Sequence, residues 1–600
     1  MHKQVRKLTT RRYVSHAMVM NNRVAIVRAL RDIALLLQLK GENAFRSRAY
    51  EVGADRLAGL SEDLGTLIAE GKLVELPGIG PALAEKITEM ATTGRMQFLD
   101  SLRAEFPPRI LELLKLPELG PKKVAALWRE LQIGDIDALE AACREQRVRS
   151  LRGFGARTEE KILGGIALFK RSGARRRINE VLPIAEELVE RVRSTPGVVR
   201  ASIAGSVRRF CETAADVDII ASAPEPGPVL AAFAQQPQVA QVLGSGDSKC
   251  SVRLLANDLQ SDLRVLPDSD FATALHHFTG SKAHHIRLRG LAQDRGLKIS
   301  EWGVHRGEEK LHVEDEEGLY QLLEMQYVPP ELREDWGEVE AGLEHRLPPQ
   351  LLTTSDVLGN VHSHSTWSDG RNSLEEMARA AQSLGLRYLT VTEHSQSAFY
   401  ARGLKPDDLK RQWDEIDRIN SQLEGFRLLR GSEVDILESG ELDFPDALLE
   451  QLDVVIGSVH SRFQMDEEQM TRRVLRAFDN PFMQILGHPT GRLINSRDPY
   501  PLRMEEVLDK AAEKGIALEV NGNPHRLDLK AEHVRMALKR GVKLVVSTDA
   551  HSIAELGHLK YSVGTARKGW ARKQDVLNTL PAEQFVPALK GLRRQRSAVC

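Results

Sequence analysis

The sequence predicts a multidomain protein of mixed α+β and α/β class. Three observations support this prediction. Residues 21–180 repeat a helical hairpin pattern, a central segment places carboxylates on two short apolar strands, and the part after residue 355 alternates apolar strands with amphipathic helices. A chain of 600 residues is also too long for a single hydrophobic core, so several domains are expected.

The net charge of −1 is spread unevenly along the chain. Residues 1–50 hold 11 Lys and Arg against two Asp and Glu, which is typical of a segment that contacts phosphate. We interpret residues 1–20 as a basic, largely solvated tail. No apolar run approaches the length that spans a bilayer and no secretory signal is found, so we expect no membrane attachment. The four scattered cysteines lack metal or disulfide spacing, which favours a cytoplasmic protein.

Three copies of a hairpin between helices lie at residues 76–87, 116–124 and 151–157. Each has a glycine-bearing turn just before a helix, where exposed backbone N–H groups can bind a DNA phosphate without reading the base sequence. A single copy would indicate only a tight helix connection, whereas three copies about forty residues apart favour DNA binding. In the second copy Glu118 stands where the first glycine is expected. The candidate DNA contacts are Gly78, Gly80, Gly120, Lys122, Gly153 and Gly155.

The central segment carries the first candidate catalytic site. Asp216 and Asp218 are two residues apart in an apolar run that predicts a strand, so both carboxylates lie on one face. Such a pair repels itself unless a cation lies between the two, and a divalent ion that bridges to a phosphate is the usual reason for it. A Gly-Ser turn and two arginines precede the pair, and a second apolar strand offers Asp262. Three carboxylates beside arginines suit the transfer of a nucleotidyl group by two metal ions.

From residue 360 onward, apolar strands end repeatedly in imidazole or carboxylate side chains. Functional groups at the C-terminal ends of strands that alternate with helices are typical of a barrel. Imidazole and carboxylate together suit Mn²⁺, Zn²⁺ or Fe²⁺ rather than Ca²⁺, and nine ligands fit about three ions, an arrangement that hydrolyses phosphoesters. The nine candidate ligands are His362, His364, Asp369, His394, Glu433, His460, His488, Asp549 and His551. Arg492 and His525 are further candidates for a contact with substrate phosphate.

Together these segments resemble a bacterial DNA polymerase of family X, with a polymerase-β-like core and a C-terminal PHP (polymerase and histidinol phosphatase) domain. The motif at residues 205–209 with Asp216 and Asp218, the segment 278–282 and the nine barrel ligands carry the resemblance, which extends from about residue 21 to 590. It implies helix-hairpin-helix domains, a nucleotidyltransferase palm with a thumb, and a distorted (β/α)7 PHP barrel. The implied boundaries are 1–20 basic tail, 21–100 lyase-like hairpin domain, 101–180 fingers, 181–266 palm, 267–325 thumb, 326–355 linker and 356–600 PHP domain.

The resemblance also implies roles for single residues. Asp216 and Asp218 would hold two Mg²⁺ or Mn²⁺ ions, and Asp262 would hold the catalytic ion and help to activate the primer 3′-hydroxyl. The predicted nucleotide contacts are Gly205, Ser206 and Arg209 at the triphosphate, and Phe278, Thr279, Gly280 and Ser281 at the sugar.

Several positions depart from the pattern of the family. Ala215, His277 and His285 replace its usual residues, which bears on fidelity and sugar selection but not on phosphoryl transfer. Lys86 falls at the position of the family's Schiff-base lysine, but Glu75 and Ala82 replace the supporting lysines. A phosphate contact of Lys86 is therefore favoured over lyase chemistry.

The predicted function is a DNA-repair polymerase that fills short gaps, with a manganese-dependent 3′–5′ exonuclease in the barrel that also suits abasic-site cleavage or removal of 3′-phosphates. The expected partners are gapped or nicked duplex DNA and deoxynucleoside triphosphates, and a monomer is expected. One alternative is a nuclease whose palm serves only as a DNA-binding scaffold, against which the intact aspartates speak. A non-enzymatic DNA-bridging protein is a second alternative, against which the nine ligands speak.

Overall fold

The computed structural model describes residues 23–58, 64–116, 118–172, 175–256 and 258–597, so the predicted basic tail lies outside the described residues. The chain forms two compact units, Met1–Arg171 and Ser172–Cys600, and each is considered by itself. Within the described ranges, no helix has the length and apolar character needed to cross a membrane. The described cysteines are free thiols.

The first unit is helical in its described part. The apolar residues of its first helix recur at helical spacing, and Leu30, Ile33 and Leu37 are all buried in a core shared by the other helices. Its helices are α1 Arg23–Lys40, α2 Ala44–Ala58, α3 Leu64–Ala69, α4 Pro81–Thr93, α5 Gln97–Ala104, α6 Pro121–Leu131, α7 Ile136–Arg144 and α8 Ala156–Ser172.

The second unit begins with the region predicted as the palm. Its five-stranded sheet has the strand order 200–203, 216–222, 260–266, 249–254 and 239–245, in which only the second and third run parallel, and a short ladder of 176–177 with 213–214 lies beside it. The helices are α9 Ile178–Arg193, α10 Gly205–Arg208 and α11 Pro226–Ala234. The strands are β1 Arg176–Arg177, β2 Arg200–Ile203, β3 Thr213–Ala214, β4 Asp216–Ser222, β5 Val239–Ser245, β6 Lys249–Leu254 and β7 Gln260–Leu266.

The thumb region continues into the segment that was predicted as a linker. Its elements are α12 Phe271–Thr279, α13 Lys282–Asp294, β8 Lys298–Ser300, β9 Gly303–Arg306, β10 Glu309–Leu311, α14 Glu316–Gln321 and α15 Glu338–Leu343. Helix α15 lies within residues 326–355, and Leu332 and Val339 of that stretch are buried in the same core as Leu288 and Leu319 of the thumb. Residues 326–355 are therefore a packed part of the unit, and the domain boundaries remain predictions.

The C-terminal part is the barrel. Seven parallel strands follow one another in chain order, and a parallel bridge from Ser363 to Ala550 joins the first strand's end to the last, so the barrel is nearly closed. Its strands are β11 Gly359–Asn360, β12 Tyr388–Val391, β13 Arg427–Asp435, β14 Val454–Ser458, β15 Ile485–Leu486, β16 Ala517–Asn521 and β17 Leu544–Ser547. Its helices are α16 Leu374–Ser383, α17 Pro406–Asn420, α18 Asp446–Leu449, α19 Glu467–Ala477, α20 Met504–Lys514, α21 Ala531–Lys539, α22 Leu559–Lys568 and α23 Ala582–Ser597. The predicted fold class is confirmed.

The palm and the barrel pack against each other within the second unit. Ile494, Leu527 and Tyr561 of the barrel are buried in the hydrophobic core of the palm, and Trp570 is buried in the core of the thumb. Because these side chains complete the neighbouring cores, the two regions are held in one arrangement.

Candidate active sites

Three carboxylates meet at the centre of the palm sheet because of its strand register. Asp218 of β4 is paired with Asp262 of β7, and Asp216 is paired with Gln260. Burial and repulsion from Asp216 and Asp262 raise the pKa of Asp218 to about 6. Acidic side chains that shift one another's pKa in this way mark a place where a bound cation would remove the repulsion.

Asp262 has a cationic neighbour on the adjacent strand. Lys249 of β6 brings its Nζ to 2.6 Å from Asp262 Oδ2, and Gln260 Nε2 donates to Asp262 Oδ1 at 3.1 Å. Burial alone would raise the pKa of Asp262, but the hydrogen bonds and the charge of Lys249 lower it. Asp262 is therefore held in its ionised form, which is the form that a metal ligand or a proton acceptor needs.

The Gly-Ser turn lies directly against these carboxylates. Gly205 has a φ of +63°, and a Cβ at this position would lie 2.2 Å from Asp218 Oδ2, so only glycine fits. Ser206 follows in the short helix α10 and is half-buried. The backbone of the turn therefore lies at the edge of the carboxylate cluster. The predicted triphosphate contacts Gly205 and Ser206 belong to this turn.

The two arginines of this turn connect the palm with the thumb. Arg208 pairs with Glu316, Nη2 to Oε2 at 2.6 Å, and donates to Thr279 Oγ1 at 2.7 Å. Arg209 donates to the carbonyl oxygen of Thr279 and pairs with Glu334, Nε to Oε1 at 3.0 Å. A triphosphate that binds Arg209 would therefore have to compete with the Glu334 carboxylate.

The segment predicted to face the nucleotide sugar lies beside the same arginines. The Arg264 guanidinium carbon is 4.4 Å from the centroid of the Phe278 ring, and a Cβ on Gly280 would lie 2.9 Å from Arg209 Nη1. Ser281 caps α13 by accepting a hydrogen bond from the backbone N–H of His284. The structure thus brings the predicted sugar segment and the predicted triphosphate turn together.

Histidines of the thumb form a buried network that the sequence did not reveal. His285 Nε2 donates to the carbonyl oxygen of His277 at 2.8 Å, and burial lowers the pKa of His285 to about 4. His284 Nδ1 lies 2.6 Å from Glu338 Oε1, and its Nε2 lies 2.9 Å from Tyr320 Oη. His285 is therefore neutral and turned toward the interior of the thumb.

The nine candidate ligands lie close together at the C-terminal ends of the barrel strands. Three overlapping groups have ligand atoms within 4.8 Å of one another: His364, Asp369, His394 and His551; His362, His364 and Asp549; and His394, Glu433 and His460. His488 joins them through Nε2, which lies 2.7 Å from Glu433 Oε1. The geometry brings together the whole predicted set, whose role as ligands stays a prediction.

Buried nitrogens in this cluster fit bound metal ions. Among the described residues, His362 Nε2, both ring nitrogens of His364 and His488 Nδ1 are buried without a hydrogen bond. Buried polar atoms are normally hydrogen-bonded, and imidazole nitrogens beside carboxylates are the donor set that Mn²⁺, Zn²⁺ and Fe²⁺ prefer. The residues present therefore fit a cluster of such ions.

Carboxylates behind the candidate ligands orient them. His362 Nδ1 lies 2.7 Å from Glu519 Oε1, and His460 Nδ1 lies 3.0 Å from Asp435 Oδ1, the contact that fixes the ring and tautomer of a metal-binding histidine. Glu393 is fully buried beside them, and burial raises its pKa to about 7. These three acids were not predicted; an acid inside an otherwise apolar strand marks Glu519 in the sequence as unusual, but it does not identify the partner of Glu519.

Arg526 is the arginine that reaches the cluster, with its Nε 3.4 Å from Asp549 Oδ2. Arg492 instead pairs with Glu212 of the palm region at 2.7 Å, and His525 contacts an arginine of β1. The two residues considered from the sequence as phosphate contacts thus lie at the junction with the palm. Arg526, and neither of these two residues, lies beside the candidate ligands, where a substrate phosphate could be contacted.

The three hairpins of the first unit share one backbone conformation. Gly78 and Gly153 both have a φ of +86°, and Glu118 has a φ of +67° at the equivalent place. Gly80 and Gly120 cap the following helices with extended backbone, and a Cβ at either would meet nothing within 4 Å. The N-terminal N–H groups of α4 and α6 therefore have open space in front of them, as a phosphate contact requires.

Lys86 lies on α4, and its Nζ donates to the carbonyl oxygen of Ala82 at 3.2 Å. It shares the ring of Phe98 with Arg46, at 5.3 and 5.7 Å from the centroid. Two cations over one ring suit a contact with phosphate, and the role of Lys86 stays a prediction.

Two clusters of acidic or metal-binding side chains, one on a nucleotidyltransferase-like sheet and one in a barrel, define a protein of metal-dependent phosphoryl transfer. Comparison with known proteins narrows this class. Family models match as Helix-hairpin-helix domain at 21–96, SAM-like Helix-hairpin-helix tandem at 110–166, DNA polymerase beta thumb at 274–334 and PHP domain at 360–523.

The chain is 40% identical over 569 residues to the DNA polymerase/3′-5′ exonuclease PolX of Bacillus subtilis (strain 168). The aligned region covers 94% of this chain and 99% of that protein. A probable phosphatase of Thermoanaerobacter sp. (strain X514) is 30% identical over 241 residues, 38% of this chain and 90% of the relative. One of Clostridium novyi (strain NT) is 29% identical over 211 residues, 33% of this chain and 81% of the relative. The chain therefore belongs to the family X DNA polymerases that carry a PHP domain.

Proposed function

We infer that the chain is a DNA-directed DNA polymerase with a metal-dependent 3′–5′ exonuclease in its barrel. The observation that carries the polymerase is the pairing of Asp218 with Asp262 beside Asp216, in a chain that is 40% identical to a DNA polymerase/3′-5′ exonuclease. The nine side chains gathered at the strand ends support the hydrolytic activity. DNA and deoxynucleoside triphosphates are its substrates.

In the palm, we assign the two ends of the nucleotide to two groups of residues. Gly205, Ser206 and Arg209 would hold the triphosphate, while Phe278 and the turn at Thr279, Gly280 and Ser281 would face the sugar. Asp216 and Asp218 would hold Mg²⁺ or Mn²⁺. Asp262, which Lys249 keeps ionised, would accept the proton of the primer 3′-hydroxyl.

In the barrel, the nine candidate ligands would hold about three ions of Mn²⁺, Zn²⁺ or Fe²⁺. Divalent ions bound at the two sites would stabilise the negative charge that develops on the phosphate. Glu519 and Asp435 orient the imidazoles, and Arg526 would bind the phosphate that is to be cleaved. Abasic-site cleavage and 3′-phosphatase activity would use the same residues.

We propose a repair role at short gaps or nicks for a monomeric enzyme. The hairpins of the first unit, with Gly78, Gly80, Gly120, Gly153 and Gly155 at their turns, would bind DNA by its backbone, and exposed Lys122 would add a cation. Such contacts are independent of base sequence and weaken as salt rises. The predicted cytoplasmic location rests on cysteine usage and stays a prediction.

The test follows a labelled primer on a gapped duplex with Mn²⁺, with and without nucleotides. It compares the parent protein, Asp216→Ala/Asp218→Ala and His362→Ala/His364→Ala. We expect extension to be lost only in the first variant and shortening only in the second. If the first variant extended DNA like the parent, the polymerase assignment would be wrong and the palm would be a scaffold for a nuclease.

A further inference from the structure

The loop after β12 presents two neighbouring aromatic side chains to solvent. Phe399 is 88% exposed and Tyr400 is 70% exposed. Across the described ranges, no other two adjacent aromatic residues are both exposed. Single exposed apolar side chains are ordinary, whereas adjacent large ones usually indicate a binding surface.

The backbone beneath these rings is fixed. Ser397 donates its backbone N–H and its hydroxyl to the carboxylate of Asp443, at 2.7 and 2.6 Å. The N–H of Leu404 donates to the carbonyl oxygen of His394 at 2.8 Å and closes the loop, and Ala401 is fully buried under it. The aromatic pair is therefore held outward by a supported turn, which lowers the entropy cost of binding a ligand there.

Tyr400 stands at the edge of the metal-ligand cluster, and Phe399 precedes it directly in the chain. The ring centroid of Tyr400 lies 6.2 Å from that of His394 and 6.4 Å from that of His460. Arg526 provides a cation at the same cluster, beside Asp549. A phosphate bound at the cluster would thus have a cation next to it and aromatic surface within reach of the nucleobase attached to it.

We propose that Phe399 and Tyr400 form a stacking platform for the unpaired nucleobases at the 3′ end of a DNA strand whose terminal phosphodiester lies at the barrel cluster. This proposal rests on the exonuclease activity proposed above and names its substrate class, a single-stranded or frayed 3′ end. Every base has a π face, so aromatic side chains bind single strands with little regard to sequence. A paired end would first have to separate, because stacked and paired bases do not offer that face.

The first experiment measures Mn²⁺-dependent hydrolysis by Phe399→Ala/Tyr400→Ala. We expect the KM for a single-stranded oligonucleotide to rise roughly 5- to 150-fold, the range that corresponds to one lost base-stacking contact. Hydrolysis of glycerophosphoglycerol, a small phosphodiester with no aromatic ring, should keep its kcat/KM. Phe399→Tyr and Tyr400→Phe should behave like the parent protein, as should Leu384→Ala, which changes another exposed apolar side chain of the barrel.

A second measurement reports the stacking itself. A single strand with 2-aminopurine as its 3′-terminal base, joined by a phosphorothioate that resists cleavage, is titrated with the protein. We expect the fluorescence to be quenched by the parent protein and not by Phe399→Ala/Tyr400→Ala. Equal quenching by both proteins, or an unchanged KM for single strands in a variant that still cleaves, would overturn the platform and indicate that these rings contact another protein instead.

The two proposals fail in different ways. A parent protein that quenches 2-aminopurine but cleaves neither DNA nor the small phosphodiester would contradict the exonuclease and support the platform. A parent protein that cleaves both substrates, with the same KM for single strands as Phe399→Ala/Tyr400→Ala, would retain the exonuclease and remove the platform.

Discussion

At the scale of single residues, the palm site gives up stability to hold its carboxylates together. Asp218 lies between Asp216 and Asp262, and its pKa is raised to about 6 by burial and by these two neighbours. The close approach of Gly205 leaves no room for the Asp218 carboxylate to move away. A site that binds cations therefore carries its repulsion in the metal-free state.

Asp218→Asn should stabilise the metal-free protein at neutral pH. The pKa of Asp218 is about 6 in the folded protein and about 3.9 in the unfolded chain, so its charge opposes folding above pH 6 by about 3 kcal/mol. That penalty is relieved as pH falls from about 6 toward 4, because the folded protein takes up the proton first. In EDTA, the midpoint temperature of thermal unfolding should therefore be higher for the variant than for the parent at pH 7.5. At pH 4.5 the two midpoints should be close to each other.

Asp247→Asn is the matched control, since Asp247 is an exposed carboxylate in the turn between β5 and β6 of the same sheet. It should shift the midpoint at neither pH. Added Mg²⁺ should stabilise the parent protein more than Asp218→Asn, and the variant should lose primer extension. An Asp218→Asn protein less stable than the parent at pH 7.5 in EDTA would contradict the repulsion argument.

The sequence predicted well those residues whose position follows from a simple periodic rule. The nine barrel side chains meet because the C-terminal ends of parallel strands share one edge of a barrel, and Asp216, Asp218 and Asp262 meet because side chains alternate along a strand. Glu519 and Asp435 were missed, because an acid in an apolar strand is placed only by its partner, which comes from another strand. Phe399 and Tyr400 were missed as well, because exposure is a property of the folded surface.

At the scale of elements, the three hairpins show how one backbone conformation tolerates different residues. Glu118 adopts the left-handed conformation that Gly78 and Gly153 adopt at the same place, which costs a non-glycine residue about 1 kcal/mol. Its carboxylate binds Lys161 Nζ at 2.6 Å and lies 3.8 Å from Lys123 Nζ. The turn of the second hairpin thus places a carboxylate beside two lysines that would otherwise be available to a DNA phosphate.

Glu118→Gly should tighten DNA binding by the first unit's hairpins. The change releases Lys161 and Lys123 and removes a negative charge, so we expect a several-fold lower Kd for duplex DNA and a log–log salt slope steeper by about one. The measurement is fluorescence anisotropy with a labelled gapped duplex over a series of salt concentrations. An unchanged Kd and slope would show that the second hairpin does not contact DNA.

Two variants separate charge from backbone strain. Glu118→Gln removes the charge but keeps the left-handed residue, and should give most of the gain in affinity. Gln132→Gly relaxes a second left-handed residue, with a φ of +57° at the end of α6, and should leave DNA affinity unchanged.

The segment at residues 326–355 shows where composition misleads. Its prolines and charged residues are typical of a linker, but Arg333 is fully buried and donates to Glu316 at 2.5 Å and to the carbonyl oxygen of Val328 at 2.9 Å. The sequence pattern does not reveal that a buried carboxylate lies opposite the Arg333 guanidinium. Glu316, 17 residues away along the chain, pairs with Arg333 and so allows this segment to pack in the thumb core.

At the scale of the second unit, the barrel helps to hold the palm turn that is predicted to bind the nucleotide. Phe210 follows Arg209 directly, has a φ of +53°, and its ring lies tilted beside that of Tyr561 with the centroids 6.5 Å apart. Lys568, at the end of α22, donates to the backbone carbonyl of Arg209 at 3.0 Å and pairs with Glu334, the carboxylate that also binds the Arg209 side chain. A barrel helix therefore fixes the backbone of a predicted triphosphate contact.

Gly564→Leu should weaken nucleotide binding from a position that touches no substrate. A Cβ on Gly564 of α22 would lie 2.1 Å from the Phe210 ring, so a leucine must push α22 away from the turn that carries Arg209. We expect the KM for deoxynucleoside triphosphates to rise several-fold in primer extension, with the metal content of the barrel unchanged. Gly591→Leu in α23, where a Cβ meets nothing within 4 Å, should leave the KM at the parent value.

Phe210→Ala combined with Gly564→Leu opens space for the leucine, so the double variant should recover part of the loss in nucleotide binding. A double-mutant cycle measures this recovery as a coupling between the two positions. Additive effects in that cycle, or a KM unaffected by Gly564→Leu in a protein that unfolds at the parent temperature, would show that the barrel supports the palm's fold without acting on its nucleotide site.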